Sequence, residues 1–263
     1  MKIKMTLWIL MLAMTCGTAY AQDHTKGNIR LFQSFFEDAH VTPDPYLDAE
    51  FDYSYYDAFG MDTGLYQLAL RFGLPITPIT EIHARLGMVH INPDNGSETD
   101  ITDLYIGGRH LFIDRETQVS GGAFITIPTG NMQTWGDNFD VGVYSALRHP
   151  IDYGLVLTGT TGIIYTEKYS GFGFFDDFDS VVFSRRNDHK TILRLGGGII
   201  YEHTPQINFI GEAVYKSRYN YKLISGGMDY AFDRKGSIRG AFGIGLDDGA
   251  PDFQVLLSLF IMF

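Results

Sequence analysis

Cysteine is almost missing from this chain. Its 263 residues hold one, Cys16, inside a stretch that reads as an export leader. A chain that keeps no thiol after export forms no disulfide and offers no thiolate metal site. Basic residues are scarce as well, 20 against 31 acidic ones, for a formal charge of -11. Nothing basic is clustered, so the chain has no footprint for the phosphates of nucleic acid. Long apolar runs are absent beyond residue 21, which excludes a spanning helix in the remainder. There is no heptad, helical repeat, phosphate loop, zinc spacing or metalloprotease motif. No metal and no cofactor is expected.

What is present is glycine (30 residues), phenylalanine (20) and tyrosine (16), with hydrophobic residues at 45%. Lys2 and Lys4 precede a mostly apolar run from Thr6 to Met14, and Ala19-Tyr20-Ala21 is a small-x-small cleavage site before Gln22. That is a secretory signal peptide over 1–21. Ala13-Met14-Thr15-Cys16 is a poor lipobox.

The last stretch organises the rest. Phe253, Val255, Leu257, Leu259, Ile261 and Phe263 recur at every second residue, and a strand sends alternate side chains to opposite faces. One face is wholly apolar, and the other carries Gln254 and Ser258. The same alternation recurs upstream. Tyr66, Leu68, Leu70 and Phe72 oppose Gln67 and Arg71, and Ile82, Ala84, Leu86 and Met88 oppose Glu81, His83 and Arg85. Leu104, Ile106 and Phe112 oppose Asp103, Tyr105 and Arg109, and Ile207, Phe209, Ala213 and Tyr215 oppose Asn208, Glu212 and Lys216. A soluble sandwich turns its charges to bulk water. A barrel in lipid turns them into its lumen, because a charge on the lipid face costs about 2–4 kcal/mol at mid-depth.

About twelve strands are predicted from this period and the turn signals between them. Their spans are 47–57, 62–73, 79–91, 101–113, 117–128, 139–149, 152–166, 189–203, 206–218, 220–233, 236–247 and 252–263. Asp114–Glu116, Pro150-Ile151, Thr204-Pro205 and Arg234-Lys235 read as tight turns, whereas 92–100, 129–138 and 167–189 read as long polar loops. Short turns at one end and long loops at the other mark a transmembrane barrel. The expected fold is therefore all-β, an antiparallel meander closed over 47–263. Residues 22–46 hold Leu31, Phe32, Phe35 and Phe36 in a weak pattern; a periplasmic tail, a short helix and a plug inside the lumen all fit them.

Several pieces together resemble a known family. They are Phe72-Gly73-Leu74-Pro75, Asp103-Leu104-Tyr105-Ile106-Gly107-Gly108-Arg109, Pro128-Thr129-Gly130-Asn131, Gly211-Glu212-Ala213, and the run from Gly240 to Asp252 leading into the terminal Phe. In order and spacing the chain is similar to the outer-membrane proteins grouped under the meta-pathway phenol-degradation label. Thr102 stands where that family usually has Gly before the Asp. The resemblance implies a small-molecule channel, and the family's name suggests aromatic compounds.

Two sets of residues could act. The first is inward and ionisable: Arg71, Glu81, Arg85, Asp103 and Arg109 on the early strands, and Arg194, Glu202, Glu212 and Lys216 across the cylinder. They are pore-lining candidates that set selectivity through a transverse field, or structural ion pairs that fill the lumen. The second is a loop carrying Phe172, Phe174, Phe175 and Phe178. It reads as a lid at the mouth, as an anchor in the outer leaflet, or as packing among loops. A barrel-type lipid hydrolase is the remaining alternative. Its nearest candidate pair, His110 and Ser120, falls on opposite faces, so no nucleophile and base converge. The expected partners are outer-membrane lipid and lipopolysaccharide, the barrel insertion machinery reading Phe263, and a small-molecule solute. Passive passage of that solute competes with a second function, that of a structural or surface barrel with a filled lumen.

Overall fold

The computed structural model describes residues 29–58, 61–93, 97–129, 139–151, 154–168, 188–217 and 220–263. Thirteen strands run in chain order: β1 (Tyr46–Ala58), β2 (Met61–Thr77), β3 (Thr80–Pro93), β4 (Glu98–Ile101), β5 (Leu104–Asp114), β6 (Gln118–Ile127) and β7 (Phe139–Ile151), then β8 (Leu155–Lys168), β9 (Asp188–Glu202), β10 (Ile207–Lys216), β11 (Tyr221–Asp233), β12 (Gly236–Gly245) and β13 (Phe253–Met262). Sequence neighbours pair antiparallel, except that β4 and β5 both pair with β3 and not with each other. β1 pairs with β13, from Tyr46 opposite Met262 to Tyr55 opposite Phe253, and that ladder closes the cylinder. Closure joins the first strand to the last, so the crossing strands can satisfy their backbones within the sheet.

β4 and β5 are one crossing strand with a break. Both pair with β3, but Thr102 and Asp103 drop out of the ladder. The Thr102 amide donates to the Gly87 carbonyl at 2.9 Å, and the Gly87 amide donates to Thr102 Oγ1 at 2.9 Å. A side-chain hydroxyl thus stands in for a backbone carbonyl, which is how a bulge keeps both chains satisfied. The barrel therefore has twelve crossing strands, one of them divided into the short β4 and the longer β5. Predicted boundaries shift by a few residues, and two of the shifts have a local cause. The β7–β8 turn lies at Gly154, whose φ of 75° suits glycine, and not at Pro150-Ile151, which stay in β7. β12 ends at Gly245, because Asp247 begins a turn whose carbonyl accepts from the Ala250 amide at 3.0 Å.

The outer wall is apolar. Leu68, Phe112, Ile163, Ile224, Ile238 and Leu257 are all more than half, or about half, exposed. The inner wall is mixed, and here the sequence expectation needs correcting. Inward positions carry charges, but also Leu65, Val89, Val156, Ile200, Ile210, Leu256 and Phe260, all buried. What buries several of them is the N-terminal segment. Residues 29–45 form turns without a helix or strand. Ile29, Leu31 and Phe32 cluster with Val156, Ile200, Ile210, Ala241 and Leu256. Phe35 and Phe36 cluster with Tyr46, Phe260 and Met262, with Tyr105 against them. The core of this barrel is inside its lumen, between the wall and its own leading segment.

Candidate functional site

An irregular segment brings carbonyl oxygens with no ladder to bond, and leaving them buried and unpaired is costly. Arginines of the wall supply the donors. Arg148 of β7 donates to the Ile29 carbonyl at 2.8 Å, and Arg239 of β12 donates to the Arg30 carbonyl. Arg194 of β9 donates to the Gln33 carbonyl at 2.7 Å. Arg109 of β5 donates to the carbonyls of Phe36 at 3.3 Å and Asp38 at 2.6 Å, and the Tyr144 hydroxyl donates to Phe36 at 2.9 Å. Guanidinium suits this task because it is planar, always charged and carries five donors.

The segment's own charges close the pairs. Arg30 lies 2.9 Å from Glu81, which also takes Arg109 at 2.7 Å. Glu81 accepts as well from the Thr42 amide at 3.1 Å and the Tyr46 hydroxyl at 2.9 Å. Arg30, Glu81 and Arg109 are all fully buried or nearly so. Glu37 pairs with Arg194, and Asp38 lies 3.5 Å from Arg148. Burial raises the Asp38 carboxyl, but Arg148, the His40 amide and Arg30 outweigh it and hold the group below the usual carboxylate range. Burial, then Arg148 and Arg30, push His40 down to about 3.

The sequence candidates fall into three groups. Glu81, Arg109, Arg194 and Glu212 touch the segment, Glu212 accepting from the Gln33 amide at 2.8 Å. Arg71 and Arg85 pair within the wall, and Arg71 also lies 4.6 Å from the centre of the Phe35 ring of the segment. Arg71 sits 3.2 Å from Asp48 and against Glu50, while Arg85 sits 3.0 Å from Glu50. Lys216 lies over the Tyr221 ring at 4.2 Å, Asp103 lies in the break between β4 and β5, and Glu202 ends β9. Phe172, Phe174, Phe175 and Phe178 lie outside the described residues. Sequence reasoning missed Arg30, Glu37, Asp38, Arg148 and Arg239. Charge inside an otherwise aromatic leading segment was the available signal for Arg30, Glu37 and Asp38, and the inward parity of their strands was the signal for Arg148 and Arg239.

Outward polar residues have local partners. His110 meets Thr80 Oγ1 at 2.8 Å, His90 meets Thr99 Oγ1 at 2.7 Å, and Lys222 donates to Asp247 at 2.6 Å. Ser120 is buried on the opposite face from His110.

No family model and no curated relative matches the chain. Solved structures do match in fold. The COG4313 outer membrane channel from Pseudomonas putida F1 superposes with a TM-score of 0.66 at 11% identity, over 86% of this chain and 98% of that one. KdgM porin gives 0.54 at 9% identity, over 83% and 99%. NanC porin gives 0.51 at 12% identity, over 82% and 98%. At these identities the likeness is one of fold: the chain has the architecture of outer-membrane barrels.

Proposed function

We propose that the chain is an outer-membrane channel or facilitator for passive passage of small hydrophobic or aromatic solutes, with residues 29–45 seated in its lumen. The observation that carries this reading is the aromatic interior. Phe32, Phe35 and Phe36 pack on Tyr46, Tyr105 and Phe260 and on aliphatic residues of the wall. When the segment moves, a solute meets a surface that binds apolar rings and not only a ring of charges. The apolar outer wall and the fold shared with three barrels named as channel or porins support the membrane setting. In that setting the short turns and both termini face the periplasm and the long loops face outward. Lipid and lipopolysaccharide surround the wall after removal of 1–21. Phe263, exposed at the end of the last strand, is the residue the insertion machinery reads. The resemblance to the phenol-degradation group agrees with the solute class.

The test is flux of an aromatic solute into liposomes, together with single-channel recording, with and without residues 22–46. Solute-dependent flux supports the reading. The filled lumen favours a second reading, a structural barrel that transports nothing; silence of both constructs would select it.

A further inference from the structure

At the end of the barrel that carries the β5–β6 turn, the wall and the leading segment leave a cavity of about 120 Å³ between them. Ladder partners build its wall side. Gln118 of β6 faces Arg148 of β7, and Pro150 of β7 faces Val156 of β8. The segment contributes His40, and Arg115 and Glu116, exposed in the turn, complete the rim. The space is several times what one water needs. Its charge is unbalanced. Arg115 and Arg148 bring two guanidiniums against the Glu116 carboxylate. Arg115 makes no ion pair or hydrogen bond among the described residues. Arg148 is held in place by the Ile29 carbonyl and by Asp38. Around His40, the guanidiniums of Arg148, Arg30 and Arg109 face Asp38 as counter-charge, and Glu81 takes up Arg30 and Arg109. The His40 side chain is more than nine-tenths buried, yet its Nε2 has no hydrogen-bond partner among the described residues. Buried polar groups are nearly always satisfied. Pro150 and Val156 give the cavity an apolar side. Two guanidiniums and an imidazole beside an apolar surface suit a carboxylate on a short hydrocarbon. Inorganic phosphate would leave the apolar side uncovered.

We propose that this cavity binds a small organic carboxylate, and that the bound anion fastens the segment to the wall. Its oxygens accept from Arg115, from Arg148 and from His40 in the tautomer protonated at Nε2, and its hydrocarbon lies on Pro150 and Val156. His40 belongs to the segment and the two arginines to the wall and its turn, so only the seated segment completes the site. A ligand that binds the seated form alone shifts the equilibrium towards seating. Such an occupant regulates the barrel and is distinct from any solute that crosses it. In the orientation proposed above, the cavity faces the periplasm.

Butyrate, butyramide and inorganic phosphate are titrated by calorimetry into the detergent-solubilised protein, at neutral pH in a buffer free of other carboxylates. Butyrate should bind, and butyramide, alike in shape but uncharged, should bind at least about tenfold more weakly, the value of a charge-assisted hydrogen bond. Arg115→Gln, a change at an exposed turn, should weaken butyrate about tenfold. His40→Leu should weaken it by a similar factor, and heat-modifiable gel migration checks that both variants fold. Seating is read by maleimide labelling of Ser34→Cys in a Cys16→Ser background, since Ser34 is fully buried in the seated segment. Butyrate at about ten times its dissociation constant should slow labelling about tenfold, and Arg115→Gln at the same concentration should leave a slowing of about twofold. Wild-type protein that does not bind butyrate, or an affinity untouched by both substitutions, overturns the site. Phosphate held as tightly as butyrate overturns the organic class of the ligand. Binding that leaves labelling unchanged overturns the fastening of the segment. None of these readouts uses flux, so a barrel that transports nothing can still carry the site, and loss of the site leaves the channel reading standing.

Discussion

At the scale of single residues, two arginines that look alike in the sequence carry different loads. Arg109 is fully buried, and its loss leaves Glu81 with Arg30 alone and strips donors from two carbonyls. Breaking such a buried pair costs about 3–5 kcal/mol. Arg85 is a quarter exposed and shares Glu50 with Arg71, so its loss should cost less than about 1 kcal/mol. Urea unfolding of Arg109→Ala and Arg85→Ala in the same detergent compares them; equal midpoints would contradict the assignment. His40 gives the second prediction. Its amide donates to Asp38 Oδ1 at 3.1 Å, and Arg148, Arg30 and Arg109 surround it. A cavity of about 120 Å³ bounded by Arg115, Glu116 and Gln118 adjoins it. A histidine held at about 3 when seated and returning to 6.5 when free favours seating fully above pH 6.5. That contribution falls as pH drops from 6.5 towards 3, and at pH 5 release should be about thirtyfold easier than at pH 8. Asp38 has the same sign, but its contribution is lost only below the ordinary carboxylate value of 3.8. The check is maleimide labelling of Ser34→Cys, fully buried when seated, in a Cys16→Ser background. His40→Gln should lessen the pH dependence between pH 8 and 5.

At the scale of elements, aromatic side chains seat on glycines of the neighbouring strand. Tyr46 of β1 covers Gly73 of β2, its Cα partner in the ladder, and Tyr144 of β7 covers Gly122 of β6. A methyl group at either glycine collides with the ring. Gly73→Ala should therefore push the Tyr46 hydroxyl off Glu81 and Arg30 and destabilise the barrel by about 1–3 kcal/mol, as overpacking does. Thermal unfolding followed by gel migration measures it, and a midpoint within error of wild type would refute the contact. The strands themselves were legible in the sequence because an outward apolar residue recurs at every second position. Arg71, Glu81, Arg109 and Glu212 could be assigned inward by parity alone. The break at Thr102 and the turn at Gly154 were not legible, since a hydroxyl replacing a carbonyl and a positive φ leave no periodic trace. Nor was the seat of residues 29–45. Its bonds join positions as far apart as 221 residues, as between Gln33 and Gln254, and no local pattern announces which wall side chain an irregular segment will meet.

At the scale of the whole molecule, the lumen is neutralised by division of labour. Arg71, Arg85 and Arg239 find carboxylates within the wall, at Asp48, Glu50 and Asp229. Arg148 and Arg194 instead form their ion pairs with Asp38 and Glu37 of the segment. Withdrawing the segment therefore does more than widen the passage. It removes the carboxylates of Glu37 and Asp38 and the guanidinium of Arg30 from the lumen, a net gain of one positive charge, and leaves Arg148 and Arg194 without those partners in a bore where a fixed charge sets ion selectivity. The barrel lacking residues 22–46 should conduct more than the full chain, and the current should be selective for anions. In a tenfold gradient of potassium chloride the reversal potential should take the sign of chloride permeation. Adding Arg148→Gln and Arg194→Gln to the shortened chain should return it towards zero. A cation-selective current, or one indifferent to both substitutions, would mean that these arginines do not govern the emptied lumen.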